Sequence, residues 1–319
     1  MNTYDPAAVA TRLWWASEAL HAAAAVSTAH RLGLLTALES GPVCAEKVVR
    51  DCEIDLRSTR VLLDALVAMG LVESTHNGCF RAAVPELSML GAMGAHADLL
   101  TRAVRSGRAP LRCDVTAGAS SLYPEAVAYL AAQLATSAEA VADALEGADR
   151  ILDVGAGAAP WSLAIARRNP RCRVTALDLA PVLAVTRHAV DAAGCADRYE
   201  YLSGDVFEVR LPRAAYDLVL LGNLCHLFDG QANRRLFRRL RPAIRSGDRI
   251  AVIDVMPSQD PAAQRSVRLY AMGLMTRTSG DGVHDDESYR TWAEAAGFRY
   301  TNVREASQRP PTSIVTGVV

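Results

Sequence analysis

The stretch Arg150–Arg168, RILDVGAGAAPWSLAIARR, constrains the fold more than any other part of the chain. Ile151, Leu152 and Val154 form a short buried-strand signal interrupted by Asp153, and Leu163, Ala164 and Ile165 carry an apolar helix after it. Between them Gly155-Ala156-Gly157 makes a turn. Glycine is needed there because a side chain would hold the backbone away from a ligand at the following helix N-terminus. Strand, glycine turn and helix are the opening of a nucleotide-binding βαβ unit.

Which nucleotide it takes follows from the acids. A dinucleotide fold wants G-x-G-x-x-G, but Pro160 stands at the third glycine. Asp153 precedes the glycines, Asp178 closes the strand RVTALDL, and Asp205 follows a third strand in YLSGDVFEV. The ordered set of turn, Asp178 and Asp205 fits S-adenosylmethionine, with Asp205 able to accept a hydrogen bond from an adenine amino group.

From Ile151 onward strands and helices alternate, as in an open parallel sheet. Strands are expected at Ile151–Val154, Val174–Leu177, Tyr199–Leu202, Leu218–Leu221 and Ile250–Asp254, with helices starting near Trp161, Pro181, Asp229 and Asp285. At the end, FRYTNVREA, the Pro310-Pro311 break and SIVTGVV predict two strands joined without a helix, hence an antiparallel edge.

The first 150 residues read differently. Ala7–Leu38, ended by Gly41-Pro42, reads as a helix that is apolar nearly all round, through Leu13, Trp14, Leu20, Leu32, Leu34, Leu35 and Leu38, which requires burial on more than one side. A short helix near Ala45–Asp51, a helix over Arg57–Met69 stopped by Gly70, and LVES and CFRA around Asn77-Gly78 complete a winged-helix pattern. Pro85–Gly147, with helices over Ala97–Arg105 and Glu125–Glu146 separated by a polar segment at Thr116–Ser121, reads as a helical connection whose inner face could line a cavity, with Met89, Leu90, Met93 and His96 as candidates.

Charge excludes several roles. The net charge is −1, and the helix that would enter a DNA groove carries Arg57 and Arg60 but also Asp55 and Asp64, so no nucleic-acid partner is expected. Lys47 is the sole lysine among 34 basic residues, a bias of composition rather than of function. Seven scattered cysteines without a C-x-x-C pair read as reduced core thiols, not as a disulfide or zinc framework, and no metal is expected. Asp5, Arg12 and Glu18 precede any apolar run, and Leu20–Ala29 is too short to span a bilayer. The expectation is a cytoplasmic protein with no membrane partner.

With LLDALVAMGLV, ILDVGAGAAPW, VTALDL, GDVFEV, NLCHLFD, RIAVIDVMP and AEAAGF in this order, the whole chain resembles bacterial members of the plant-type small-molecule O-methyltransferase family. The resemblance implies an α/β protein: a Rossmann-like seven-stranded methyltransferase sheet behind an N-terminal all-helical winged-helix dimerisation domain. The expected boundaries are 1–95 for dimerisation, 96–149 for a helical connection and 150–319 for the S-adenosylmethionine-binding domain. Carried over by motif, Gly155 and Gly157 would approach the methionine portion of the cofactor, Asp178 the ribose hydroxyls and Asp205 the adenine, with Asp153, Leu179, Val206 and Asn223 completing the set. His226 falls where the family keeps its general base and Asp254 where an acid orients it. Two departures stand out: Leu227-Phe228 replaces the usual Asp-Trp, and a second flanking glutamate falls on Val283, beside His284.

The implied reaction is methyl transfer, with S-adenosylhomocysteine as product, to a hydroxyl of a small aromatic natural-product metabolite, by a homodimer paired through its N-terminal domain. A phenol (pKa about 10) gives up its proton more readily to a nearby imidazole (about 6.5). His284, among Asp281, Asp285 and Asp286, reads either as a loop residue beside a helix cap, as a second active-site histidine, or as a metal ligand; its distance in sequence from His226 disfavours metal. Met272 and Met275 are the expected acceptor-pocket residues. The alternatives are carbon or nitrogen methylation, including that of a 2-oxo acid carbon, a cofactor-binding homologue without transfer, or a winged-helix regulator.

Overall fold

The computed structural model describes residues 5–319, apart from the side chains of residues 95 and 96, so His96 lies outside what can be placed. The chain divides into two compact units, one through Asp98 and the other Leu99–Val319.

The first unit contains α1 (Pro6–Arg31), α2 (Leu34–Glu39), β1 (Val43–Cys44), α3 (Ala45–Cys52), α4 (Leu56–Ala68), β2 (Val72–Ser74), β3 (Cys79–Ala82) and α5 (Leu87–Ala92). The single long helix expected over Ala7–Leu38 is two helices, because Gly33 adopts φ +73° and turns the chain between α1 and α2. Asp5 caps α1 by accepting from the Ala7 amide, and Asp55 caps α4 by accepting from Ser58. The three short strands pair antiparallel in the order β1-β3-β2. Leu34, Leu35, Leu38, Val48, Leu63, Leu66 and Leu87 form the core. The expectation of reduced thiols fails at one pair: Cys44 and Cys79 are disulfide-bonded. They stand directly opposite each other in the β1–β3 register, a closeness that a separation of 35 residues hides. Cys52 is half-buried and free, and Cys113, Cys172, Cys195 and Cys225 are buried and free.

The second unit contains α6 (His96–Ser106), α7 (Thr116–Ala144), β4 (Arg150–Val154), α8 (Pro160–Arg168), β5 (Arg173–Asp178), α9 (Ala180–Ala192), β6 (Tyr199–Ser203), β7 (Tyr216–Gly222), α10 (Gly230–Leu240), β8 (Ile244–Asp254), α11 (Pro261–Leu274), α12 (Asp286–Ala295), β9 (Arg299–Gln308) and β10 (Pro311–Val318). Thr116–Ser121, expected to separate two helices, is instead the first turns of α7. The loop before it packs across that turn, held by Leu111 and Cys113 amides on the Thr276 and Arg277 carbonyls. Gly118 permits this, since a Cβ there would fall 2.0 Å from the Arg112 carbonyl oxygen.

The seven strands run β6-β5-β4-β7-β8-β10-β9. β6, β5, β4, β7 and β8 are parallel; the helix-free ending gives the expected antiparallel pair, and its last strand β10 inserts between β8 and the edge strand β9. Strand alternation sorts the side chains into two layers. Ile151, Leu218, Leu220, Ala251 and Ile253 pack under α7, α8 and α9, while Leu152, Val154, Val219, Leu221, Ile250 and Val252 pack under α10 and α12. The strand order reverses about β4, so the crevice at the carboxyl ends of β4, β5 and β7 is where such a sheet takes a ligand. Among the described residues no helix is long and apolar enough to cross a membrane.

Candidate active site

A cleft enclosing about 1040 Å³ of empty space, part of it open to solvent, lies at those strand ends. Its floor is the turn after β4. Gly155 (φ +68°) and Gly157 (φ +57°) both take the left-handed backbone, and the Gly155 amide donates to the Leu177 carbonyl at 2.8 Å. At the end of β5 the Asp178 carboxylate accepts from the amides of Gly157 (2.8 Å) and Leu179 (2.7 Å). Burial pushes the Asp178 carboxyl up to about 6 against those two bonds. Beyond β6, Asp205 accepts from the Thr116 hydroxyl at 3.0 Å and from the Phe207 amide at 2.8 Å. Gly155, Gly157, Asp178, Leu179, Asp205, Val206 and Asn223 all line this one cleft, with Tyr123 and Trp161 as aromatic walls. Asn223 (φ +52°) leaves its buried Oδ1 without a partner, a polar atom waiting for a donor. Two carboxylates at adjacent strand ends, a glycine turn and this oxygen suit an adenosyl group with a charged amino-acid tail.

Asp153 does not join them. Alternation along β4 puts it on the Ile151 face, behind the cleft wall, where it is fully buried and accepts from the Ser162 hydroxyl at 2.5 Å. Tyr199 donates to the same serine at 3.0 Å, and burial raises the Asp153 carboxyl to about 7. The acid anticipated as a cofactor contact is therefore a buried brace under the glycine turn.

The histidine side of the site is built from β7, β8, α11 and α12. His226 follows β7 in a single 3₁₀ turn, and Asp254 ends the neighbouring β8. Both are buried, and His226 Nδ1 lies 2.6 Å from Asp254 Oδ1. The carboxylate also accepts from the Val255 amide (2.9 Å), the His226 amide (3.3 Å) and the Tyr289 hydroxyl (3.1 Å). A carboxylate surrounded by donors orients the imidazole with hydrogen on Nδ1 and a lone pair on Nε2. That lone pair faces the Tyr270 hydroxyl at 3.2 Å, the rings meeting edge to face.

His284 lies elsewhere. Its Nε2 sits 3.1–3.2 Å from the carbonyls of Phe228 and Cys225, and its ring packs edge-on against Trp292 and Tyr289. Asn233 of α10 donates to the same two carbonyls. His284 thus pins the turn that carries His226, whose own imidazole is hydrogen-bonded to Asp254 and Tyr270 instead. Met272 and Met275 do not line the cleft. On α11 the buried stripe is Ala263, Val267 and Leu274, with Tyr270 on the same side, and helical spacing turns both methionines outward, 42% and 43% exposed. Met275 borders a separate hollow with Arg268 and Thr278. Tyr270 and Tyr289 are the residues that motif matching passed over. The i, i+4, i+7, i+11 spacing of Ala263, Val267, Tyr270 and Leu274 was the available signal for the first.

A family model described as an O-methyltransferase domain matches residues 125–299, more than half of the chain, and one described as an O-methyltransferase dimerisation domain matches residues 14–90. The chain belongs to the O-methyltransferase family. It is accordingly an S-adenosylmethionine-dependent methyltransferase. Among curated relatives of this O-methyltransferase, the 3-hydroxy-5-methyl-1-naphthoate 3-O-methyltransferase of Streptomyces sahachiroi is 25% identical over 319 residues, covering 92% of this chain and 90% of its own. The tetracenomycin polyketide synthesis 8-O-methyltransferase of Streptomyces glaucescens is 28% identical over 325 residues, covering 94% of each. Human N-acetylserotonin methyltransferase, solved in complex with S-adenosylmethionine, shares the fold with a TM-score of 0.74 at 19% identity, over 100% of this chain and 99% of that one.

Proposed function

We propose that this methyltransferase acts on the phenolic hydroxyl of a small aromatic natural product, with His226 as the base and Asp254 as its orienting acid. The observation that carries the reading is the Asp254–His226 pair. An imidazole whose Nδ1 is tied at 2.6 Å keeps a lone pair on Nε2 free of hydrogen, and that lone pair meets the chain's own Tyr270 hydroxyl at 3.2 Å. Bound S-adenosylmethionine supplies a methyl group on a cationic sulfur, open to attack by an oxygen nucleophile. Asp178 would accept from the ribose hydroxyls, Asp205 from the adenine amino group, and Asn223 Oδ1 from a donor at the methionine end. The relatives' naphthoate and polyketide acceptors support an aromatic substrate, and oxygen over carbon or nitrogen as the target. The N-terminal unit would pair two copies of the chain.

The test uses 3-hydroxy-5-methyl-1-naphthoate and plain 2-naphthol as probes. His226→Ala should lower kcat by roughly 10²–10⁴-fold and leave S-adenosylhomocysteine affinity unchanged in calorimetry. Retention of more than about a tenth of wild-type kcat would remove His226 from the role while leaving the cofactor site intact.

A further inference from the structure

The base does not open directly onto the cleft. His226 is only 2% exposed. Its Nδ1 is committed to Asp254 and its Nε2 to Tyr270, so the one lone pair able to take a proton is already capped by a phenol. Since Nε2 carries no hydrogen in this tautomer, the Tyr270 hydroxyl is the donor. The same hydroxyl is approached by the side chains of Asn223 and Arg277. Asn223 is a wall of the cofactor cleft. The Tyr270 oxygen therefore stands between a wall residue of the cleft, Asn223, and the base.

We propose that Tyr270 is a catalytic residue that relays the acceptor's proton to His226. The inference rests on His226 being the final base. As the acceptor oxygen forms its bond to the methyl carbon, the C–S bond breaks with its electron pair going to sulfur. The acceptor O–H proton passes to the Tyr270 oxygen, and the proton Tyr270 held passes to Nε2. The tyrosine ends unchanged, and the imidazolium is left beside Asp254. Burial raises the Tyr270 pKa, so the resting phenol keeps its proton and is a conduit rather than a standing base.

The competing reading makes Tyr270 a plug that swings away when acceptor binds. Its surroundings oppose that movement. The ring is edge-on to His226 at 5.5 Å, the Arg277 guanidinium carbon lies 5.5 Å from the ring centroid, and the flanking turns of α11 are anchored by buried Val267 and Leu274. Arg277 has no ion-pair partner among the described residues, so its cationic field is available to steady negative charge passing through the phenol oxygen.

Tyr270→Phe keeps the ring and removes only the hydroxyl. With 2-naphthol and 3-hydroxy-5-methyl-1-naphthoate, kcat should fall roughly 10²-fold, with acceptor KM and S-adenosylhomocysteine affinity within about twofold of wild type. Single-turnover rates in mixed H₂O and D₂O should bow downward for the wild type, as two protons in flight require, and become linear in the variant. In the ligand-free enzyme the ¹⁵N resonance of His226 Nε2 should move on Tyr270→Phe, a readout that needs no acceptor. A plug predicts the reverse: kcat kept or raised, KM lowered. That result, or an unmoved Nε2 resonance, would overturn the relay. His226→Asn separates the two levels. If it abolishes turnover while Tyr270→Phe does not, the relay alone falls; if it leaves turnover intact, the base assignment falls and the relay with it.

Discussion

Asp178 carries an energetic conflict that its ligand should resolve. In the free protein the carboxylate is buried, and two amide donors do not fully offset the lost hydration, so its pKa stands near 6 rather than 3.8. A folded-state pKa above the unfolded one means the folded chain holds more protons between about pH 4 and pH 6, so this residue's contribution to stability falls as pH rises through that window and then levels. Ribose hydroxyls would add donors that the ionised form, with both oxygens free to accept, binds more strongly than the protonated one. S-adenosylhomocysteine affinity should thus be full above about pH 6 and weaken as pH falls below it. Calorimetry across pH 5 to 8 checks the slope, and Asp178→Ala should cost on the order of 1–3 kcal/mol of binding at pH 8 and flatten the profile. A pH-independent affinity in the wild type would separate Asp178 from the ligand.

Elements place residues through spacing and through the room neighbours leave. α11 shows the first: a stripe of period 3.6 turns Tyr270 toward His226 and leaves Met272, and Met275 just past the helix end, facing outward and away from the cleft. β4 shows it too, where a two-residue period sends Asp153 behind the wall that Val154 lines. The end of β7 shows the role of size. A Cβ on Gly222 would come within 2.2 Å of the Trp161 indole, and both residues line the cleft. Gly222→Ala should therefore push the indole aside, costing roughly 1–3 kcal/mol in denaturant-measured stability and weakening S-adenosylhomocysteine binding in step. Unchanged stability and affinity would mean the wall is soft at this point.

At the scale of the whole molecule, α1 is the least satisfied element. Of its 26 residues only Ala29 is buried, while Leu13, Trp14 and Leu20 are 67%, 69% and 72% exposed. An apolar helix so placed calls for a partner surface, and the matched dimerisation domain includes it from Trp14 onward. A second copy of the chain should bury well above roughly 2,000 Å² there, as obligate pairs do. Sedimentation of the wild type at micromolar concentration should show a dimer, and Trp14→Arg with Leu20→Glu should give a monomer; a monomeric wild type would leave the apolar face without its proposed partner. The same contrast between what a chain states locally and what it gains by folding runs through the site. Glycines, strand periods and the helix-free ending are written in neighbouring residues, which is why the parallel sheet, its antiparallel end and the line of Gly155, Asp178 and Asp205 could be read without coordinates. The covalent pairing of Cys44 with Cys79, the seat of His284 on the Cys225 carbonyl behind the His226 turn, and the seat of Tyr270 on His226 could not. Each depends on which surfaces meet when distant segments pack, and no local spacing encodes a contact between residues 35, 44 or 59 positions apart.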